Sequence, residues 1–453
     1  MFDKVIISGQ VMLMEGLVKT NIGIKNGKID KVDPSIQASD GLEVIDASGK
    51  IVFPGGIDAH IHCEDGTVEE REDFYHLTKG CASSGITTAL IMPTPGVLVN
   101  SKARFNERVD LIDERAYIDY GLIGGAGSDN LDSIKEQADA GVVGFKTFCC
   151  NPEWEGEDTE GCCSFSNGSL IEIMQAVKET GLIHALHVQD MEISDHRAKT
   201  GNNTLEDFVY SLDSIVETSG VASALAMSKY VNAPVHFCHI SYKDSLELIY
   251  DAKRRNQDVT CEVLTLNLEK TNKAIKEQYP YIMWYPLPGS DEDKNAIYNG
   301  IDNGTVDMVN SDHSPFTKTE LEESVKESIY NALPGGTNLE VTLPLLLHKV
   351  NEGILTLSQV HELFMVNPAK RFNLYPQKGV IMEGSDADLV LIDMNKEKTF
   401  VEGDHHIRCN YTQIDGMTLK GNPVMTLLRG QVIMQDGQIT GKVGYGQVVK
   451  PKR

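Results

Sequence analysis

Ile51-Val52-Phe53-Pro54-Gly55-Gly56-Ile57-Asp58-Ala59-His60-Ile61-His62 is the stretch that decides the architecture. An apolar run leads into two histidines two residues apart. In a strand, residues i and i+2 point to the same side, so His60 and His62 project together from the strand's end. The pattern recurs downstream, where short apolar runs close on a residue able to bind a metal or move a proton. GVVGFK ends at Lys146, LIHALH at His187, PVHFCH at His239, and VDMVNS leads into Asp312-His313-Ser314-Pro315. Further apolar runs are TTALIMP from Thr87, AYIDYGLIGG from Ala116 and DVTCEVLTL from Asp258. Amphipathic stretches lie between the runs, among them Ser169–Gly181 and Asp244–Arg255. Strands alternating with helices argue for parallel βαβ units. Roughly eight such units fit the span, the count of a (β/α)₈ barrel. A doubly wound open sheet is the alternative, disfavoured because no G-x-G-x-x-G follows an early strand.

Working outward, both ends of the chain change character. The first 50 residues alternate apolar and polar, with Asn-Gly and Ser-Gly at the turns. Asp388–Ile392, Val424–Leu428 and Gln431–Met434 are also strand-like, and Asp436-Gly437 is a hairpin signal. Neither end carries enough apolar surface to stand alone. The expectation is an α/β chain: a (β/α)₈ TIM barrel over 51–378, and one small β-sandwich domain from 1–50 together with 379–453.

Composition narrows the function classes. The chain has 453 residues, 41% of them apolar and 24% charged, as in an ordinary globular protein. A formal net charge of −25 repels phosphate backbones and argues against nucleic-acid binding. No uninterrupted apolar stretch reaches the length of a membrane span, and MFDKVIISGQV lacks the pattern of a signal peptide. A cytoplasmic protein is expected. Nine cysteines in a chain this long are no disulfide framework. Cys149, Cys150, Cys162 and Cys163 form two adjacent pairs, a poorer zinc spacing than C-x₂-C, and read as free thiols.

The chemistry lies in the constellation. The C-terminal ends of barrel strands form the catalytic face, which would bring four histidines, a lysine and an aspartate to one site. Alone, His-x-His also fits a hydrogen-bonded pair; its company points to metal. Lys146 needs a reason, since an ammonium repels cations. Among Val143, Phe145 and Phe148 its pKa is expected to fall, exposing a neutral amine. Such an amine adds CO₂, and the resulting carbamate can bridge two metals.

These residues resemble the amidohydrolase superfamily, specifically its cyclic amidases: allantoinases, hydantoinases, dihydropyrimidinases and dihydroorotases. The resemblance covers nearly the whole chain. It is carried in order by GGIDAHIH (55–62), Gly85–Thr88 with Met92-Pro93, GFKTF (144–148), HIS (239–241), SDHSP (311–315), NPAKRFNLYPQKGVIMEGSDADLVLID (367–393), LKG (419–421), LLRGQVIMQDG (427–437) and GYGQ (444–447). It implies that His60 and His62 bind the more buried metal with Asp312, that His187 and His239 bind the second, and that carboxylated Lys146 bridges both. Two divalent ions, zinc first and manganese, cobalt or iron acceptable to the same donors, would hold a hydroxide that opens a ring amide. Asp312 would be the general base and then acid. His313 is expected to be structural. Homotetramers are common among similar proteins.

Three segments depart from the family pattern. Gln189 stands where relatives usually carry an acid, Cys261–Asn267 replaces a Cys/Thr-Pro-His-Tyr type of sequence, and Tyr285-Pro286-Leu287-Pro288-Gly289-Ser290 lacks the arginine of Pro-Pro-Leu-Arg-Ser. All are expected near the substrate. GFKTF is closer to the allantoinase style than to the dihydropyrimidinase style. The acids of Cys63-Glu64-Asp65-Gly66 argue against the carboxylate of dihydroorotate. Ser311 and Asn338 are candidate substrate contacts, and Trp154 or Phe165, on the loop after Lys146, candidate caps. The reading is thus a hydrolase of a small cyclic amide or ureide, allantoinase-like first and hydantoinase or dihydropyrimidinase second. A non-catalytic scaffold of the same fold and a mononuclear deaminase are the rivals. Retention of all six metal positions weighs against the first, and Lys146 against the second.

Overall fold

A computed structural model describes residues 1–149 and 161–452. Eight parallel strands follow one another in space as in sequence. They are β1 Gly56–Ile61, β2 Ile86–Ile91, β3 Asp119–Gly125, β4 Gly144–Cys149, β5 Ile183–Val188, β6 Val235–Phe237, β7 Val259–Leu264 and β8 Met308–Asn310. The ring closes just past β8, where Ile61 bridges His313 in parallel and the His62 N–H donates to the His313 carbonyl at 2.8 Å. This is the (β/α)₈ barrel expected from the alternation. Nearly every strand residue is buried, because one face looks into the barrel and the other meets the helices.

The outer layer consists of amphipathic helices such as Asn167–Thr180, Ser214–Val231 and Lys243–Arg254. Inside, Ile57, Leu90, Ile123, Ile183 and Met308 pack on Phe372 and Leu374, which plug one end of the ring. The other end, where the strands run out, is left for chemistry.

The terminal segments supply two further sheets. One has four strands: Lys28–Val32, Ile22–Lys25, Phe2–Ile7 and Gly41–Asp46. The other has seven and centres on the long antiparallel pair Leu389–Thr399 and Thr418–Leu428. Ile6, Ile22, Ile24, Leu389, Leu391 and Leu427 share one apolar core. Asp436 and Gly437 take positive φ at the tip of the hairpin joining Gln431–Gln435 to Gln438–Ile439. Strand Ile51–Pro54 pairs with Leu389–Ile392 in the seven-stranded sheet, so the chain enters the barrel only after Gly55. No described helix is long and apolar enough to cross a membrane.

Candidate metal centre

His60, His62, Lys146, His187, His239 and Asp312 all line one cavity at the C-terminal ends of the strands. His60 lies in β1 and His62 just beyond it, Lys146 in β4 and His187 in β5. His239 and Asp312 each follow a short strand by two residues, and both hold a left-handed backbone, φ +37° and +47°. Non-glycine residues are rarely kept there unless their surroundings hold them. Both side chains line the cavity from these turns.

Hydrogen bonds fix two imidazole tautomers. His62 Nδ1 faces the Thr94 carbonyl at 2.6 Å, and His60 Nδ1 faces the Glu262 carboxylate. Each Nδ1 is therefore the donor, so that in the neutral ring it is Nε2 that carries the lone pair. The two Nε2 atoms are 3.3 Å apart, and Asp312 Oδ1 lies 3.2 Å from one and 3.4 Å from the other. Two imidazole nitrogens and a carboxylate oxygen converging at this spacing are a donor set that suits a divalent cation. The His187 and His239 rings meet edge-on with centroids 4.5 Å apart, and His239 lies 5.4 Å from the His60 ring. Burial first, then His239 and Lys146, keeps His187 far below the ordinary histidine range; His239 is pushed down to about 3, again chiefly by burial. Both are neutral at physiological pH.

Lys146 is fully buried beside Phe148, and its ammonium donates to Cys238 Sγ at 3.2 Å. Its pKa does not fall as expected from its apolar sequence neighbours. Burial lowers it, but Cys238, Asp312 and Glu262 together raise it above the ordinary lysine value. Those anionic or polar partners come from other strands and were invisible in the local sequence.

The remaining candidates divide. Ser311 is buried but turned away from the cavity: its Oγ accepts from the His313 N–H at 3.1 Å, and its own N–H donates to Asp58. Asn338 is buried behind the cavity wall, with its Oδ1 unpartnered. Neither lines the cavity. His313 bonds Glu72 at 3.1 Å, a structural contact. Phe165 is exposed and borders a separate groove beside β5. Cys162 and Cys163 pack with Leu98 and Phe148 in an apolar cluster. Cys150 and Trp154 lie outside the described residues.

Sequence reasoning missed most of the cavity's other wall: Trp284, Phe316 and the Pro334–Gly336 turn, with Tyr285 known only as a departure from pattern. Trp284 Nε1 donates to Asn267 Oδ1 at 3.1 Å, and Asn267 Nδ2 donates to Ser241 Oγ at 2.8 Å. The altered Cys261–Asn267 segment therefore works behind the cavity. Asn267 anchors Trp284, and Glu262 sits beneath His60.

The sequence profile described as the amidohydrolase family matches residues 51–433. An L-hydantoinase of Paenarthrobacter aurescens is 30% identical over 99% of this chain and 98% of its own. An allantoinase of Enterococcus faecalis is 29% identical over 95% of each. The solved structure of L-hydantoinase (dihydropyrimidinase) from Arthrobacter aurescens superposes with a TM-score of 0.93 at 30% identity, covering 99% of this chain and 100% of that one.

Proposed function

The chain belongs to the amidohydrolase family, and we propose that it uses two divalent metal ions to hydrolyse a ring C–N bond in a hydantoin-type cyclic ureide. The observation that carries this reading is the convergence of His60 Nε2, His62 Nε2 and Asp312 Oδ1, all within 3.4 Å of one another. His60, His62 and Asp312 would hold one ion, and His187 and His239 the other. Lys146 would join them as a carbamate, since a free ammonium there would repel both. Bound metals supply Lewis acidity and offset the negative charge that develops on the ring carbonyl.

The chain's own residues do the rest. Asp312 takes a proton from the attacking water at its carboxylate and returns it to the departing ring nitrogen. Phe148, Trp284, Tyr285 and Phe316 exclude bulk water from the cavity. Hydantoin and allantoin share one five-membered ring; allantoin carries a ureido group at C5. Trp284 spends its single N–H on Asn267, so it offers the cavity no free donor. An aromatic wall favours an apolar C5 substituent, which puts hydantoins with an apolar 5-substituent ahead of the allantoin suggested by GFKTF. Dihydroorotate fits less well: among the described residues that line the cavity there is no arginine to pair with its carboxylate.

Elemental analysis beside a hydrolysis screen of hydantoin, 5-benzylhydantoin, allantoin, dihydrouracil and dihydroorotate tests the proposal. Two metals per chain and fastest turnover of the benzyl compound are expected. In Trp284→Ser, kcat/KM for 5-benzylhydantoin should fall about tenfold or more, the scale of lost apolar pocket contacts, while that for unsubstituted hydantoin changes little. Equal losses on both substrates would remove Trp284 from specificity, and turnover of allantoin alone would restore the first reading.

A further inference from the structure

Glu262 lies on β7, a strand that contributes none of the six candidate ligands, and is 1% exposed. A buried carboxylate must be neutralised or fully hydrogen-bonded. Glu262 achieves the second from three strands. Oε1 accepts from His60 Nδ1 on β1, while Oε2 accepts from His236 Nε2 on β6 at 3.1 Å and from the Asn310 amide on β8. The network continues. Asn310 Oδ1 accepts from the Ala59 N–H at 3.0 Å, beside His60, and His236 Nδ1 faces the Thr260 hydroxyl at 2.9 Å. One carboxylate thus ties four strands together directly beneath the cavity.

From this geometry we infer that Glu262 is a positioning residue for the metal centre. It holds His60 in the Nδ1–H tautomer, so that the Nε2 lone pair faces Asp312, and it places a negative charge behind that ligand. The inference rests on the metal-centre reading above. Its physical basis is general: a carboxylate on the far nitrogen of a ligating imidazole fixes the ring and raises its basicity, and its loss typically weakens metal affinity about 10–100-fold. His62 Nδ1 instead faces the neutral Thr94 carbonyl, so the two histidines of the pair are held by different partners.

Glu262→Gln keeps the shape and removes the charge. Zinc affinity of the metal-free full-length protein would be measured by competition with a chromophoric chelator, beside the melting temperature of the same metal-free sample. The expected result is affinity at one site at least tenfold weaker than wild type, with the metal-free melting temperature within a few degrees. A role limited to packing would lower that temperature and leave affinity unchanged, which would overturn the inference while the metal reading stands. A wild-type protein that takes up no zinc would overturn both. Should the variant not fold, long-range ¹H–¹⁵N spectra of histidine-labelled, metal-free wild type decide the matter: His60 protonated at Nδ1 supports the inference, and His60 protonated at Nε2 overturns it.

Discussion

Lys146 is the residue on which the proposed chemistry turns, and its surroundings define its test. A fully buried amine with Cys238, Asp312 and Glu262 raising its pKa is a poor place for a metal unless the nitrogen is carboxylated. Lys146→Ala should therefore lose bound metal, and kcat should fall by at least about a thousandfold, since the electrostatic support of the reacting centre goes with it. Added formate or acetate should partly restore both, because a small carboxylate can occupy the carbamate's place. Full activity and metal content in the alanine variant would remove the bridging role. The six candidate ligands were legible in the sequence because each closes an apolar run, and a barrel gathers strand ends whatever their separation. Glu262 and Trp284 were not. Glu262 sits mid-strand in CEVLTL, where its inward direction depends on register, and Trp284 lies in a segment whose path no periodicity sets.

Among elements, the junction between terminal sheet and barrel was read only in part. The alternation of runs and helices indicated the barrel, but IVFPGGIDAHIH looked like one strand. It is two, hinged at Gly55: Ile51–Pro54 pairs antiparallel with Leu389–Ile392, and Gly56–Ile61 opens the barrel. The reason is steric. A Cβ on Gly55 would stand 2.0 Å from Thr87 Oγ1 and 2.5 Å from Thr87 Cγ2. Gly55→Ala should destabilise by about 1–3 kcal/mol, the usual cost of overpacking. The same change in a Thr87→Ala background should cost clearly less, a coupling that thermal denaturation of the four proteins would read. Equal costs in both backgrounds would refute the steric account. His361 packs against Phe53 at the same junction, with ring centroids 6.0 Å apart and Nε2 buried without a partner. Burial, helped by Lys370, pushes its pKa down to about 4. An unfolded histidine titrates near 6.5, so between these values the unfolded chain binds the extra proton. This share of stability is present above pH 6.5 and fades as pH falls toward 4, a loss of about 2 kcal/mol by pH 5. The drop in melting temperature from pH 7.5 to pH 5 should be smaller in His361→Leu than in wild type. Identical drops would show that this histidine does not set acid stability.

Across the whole molecule, a set of charges centred on buried Lys378 helps join the two terminal segments to the barrel at the end opposite the cavity. Lys378 Nζ lies 2.5 Å from Asp119, 2.6 Å from Asp388 and 3.0 Å from Asp386. Asp119 opens β3, and it also binds the Arg429 side chain and accepts from the Gln447 N–H at 2.9 Å. Lys28, from the first segment, binds Asp386. Three carboxylates thus face three cations, drawn from the N-terminal segment, the barrel and the C-terminal segment. The sequence reading brought the two ends together through their strand patterns, but it had no way to find this set: Lys378 and Asp119 stand 259 positions apart, and Arg429 and Asp119 310. Removing the central cation leaves a surplus buried charge, which costs far more than a surface pair. Lys378→Met should lower stability by about 3–5 kcal/mol, read as a shift in the urea midpoint. Asp388→Asn in that background should recover part of the loss, because it removes the surplus charge. Metal content and KM of the folded protein should stay at wild-type values, since the cluster lies at the start of β3 and the cavity at the strands' far ends. A Lys378→Met midpoint equal to wild type would mean that apolar packing alone holds the ends to the barrel. An altered metal content would mean that the charged end and the cavity are coupled through the strands between them.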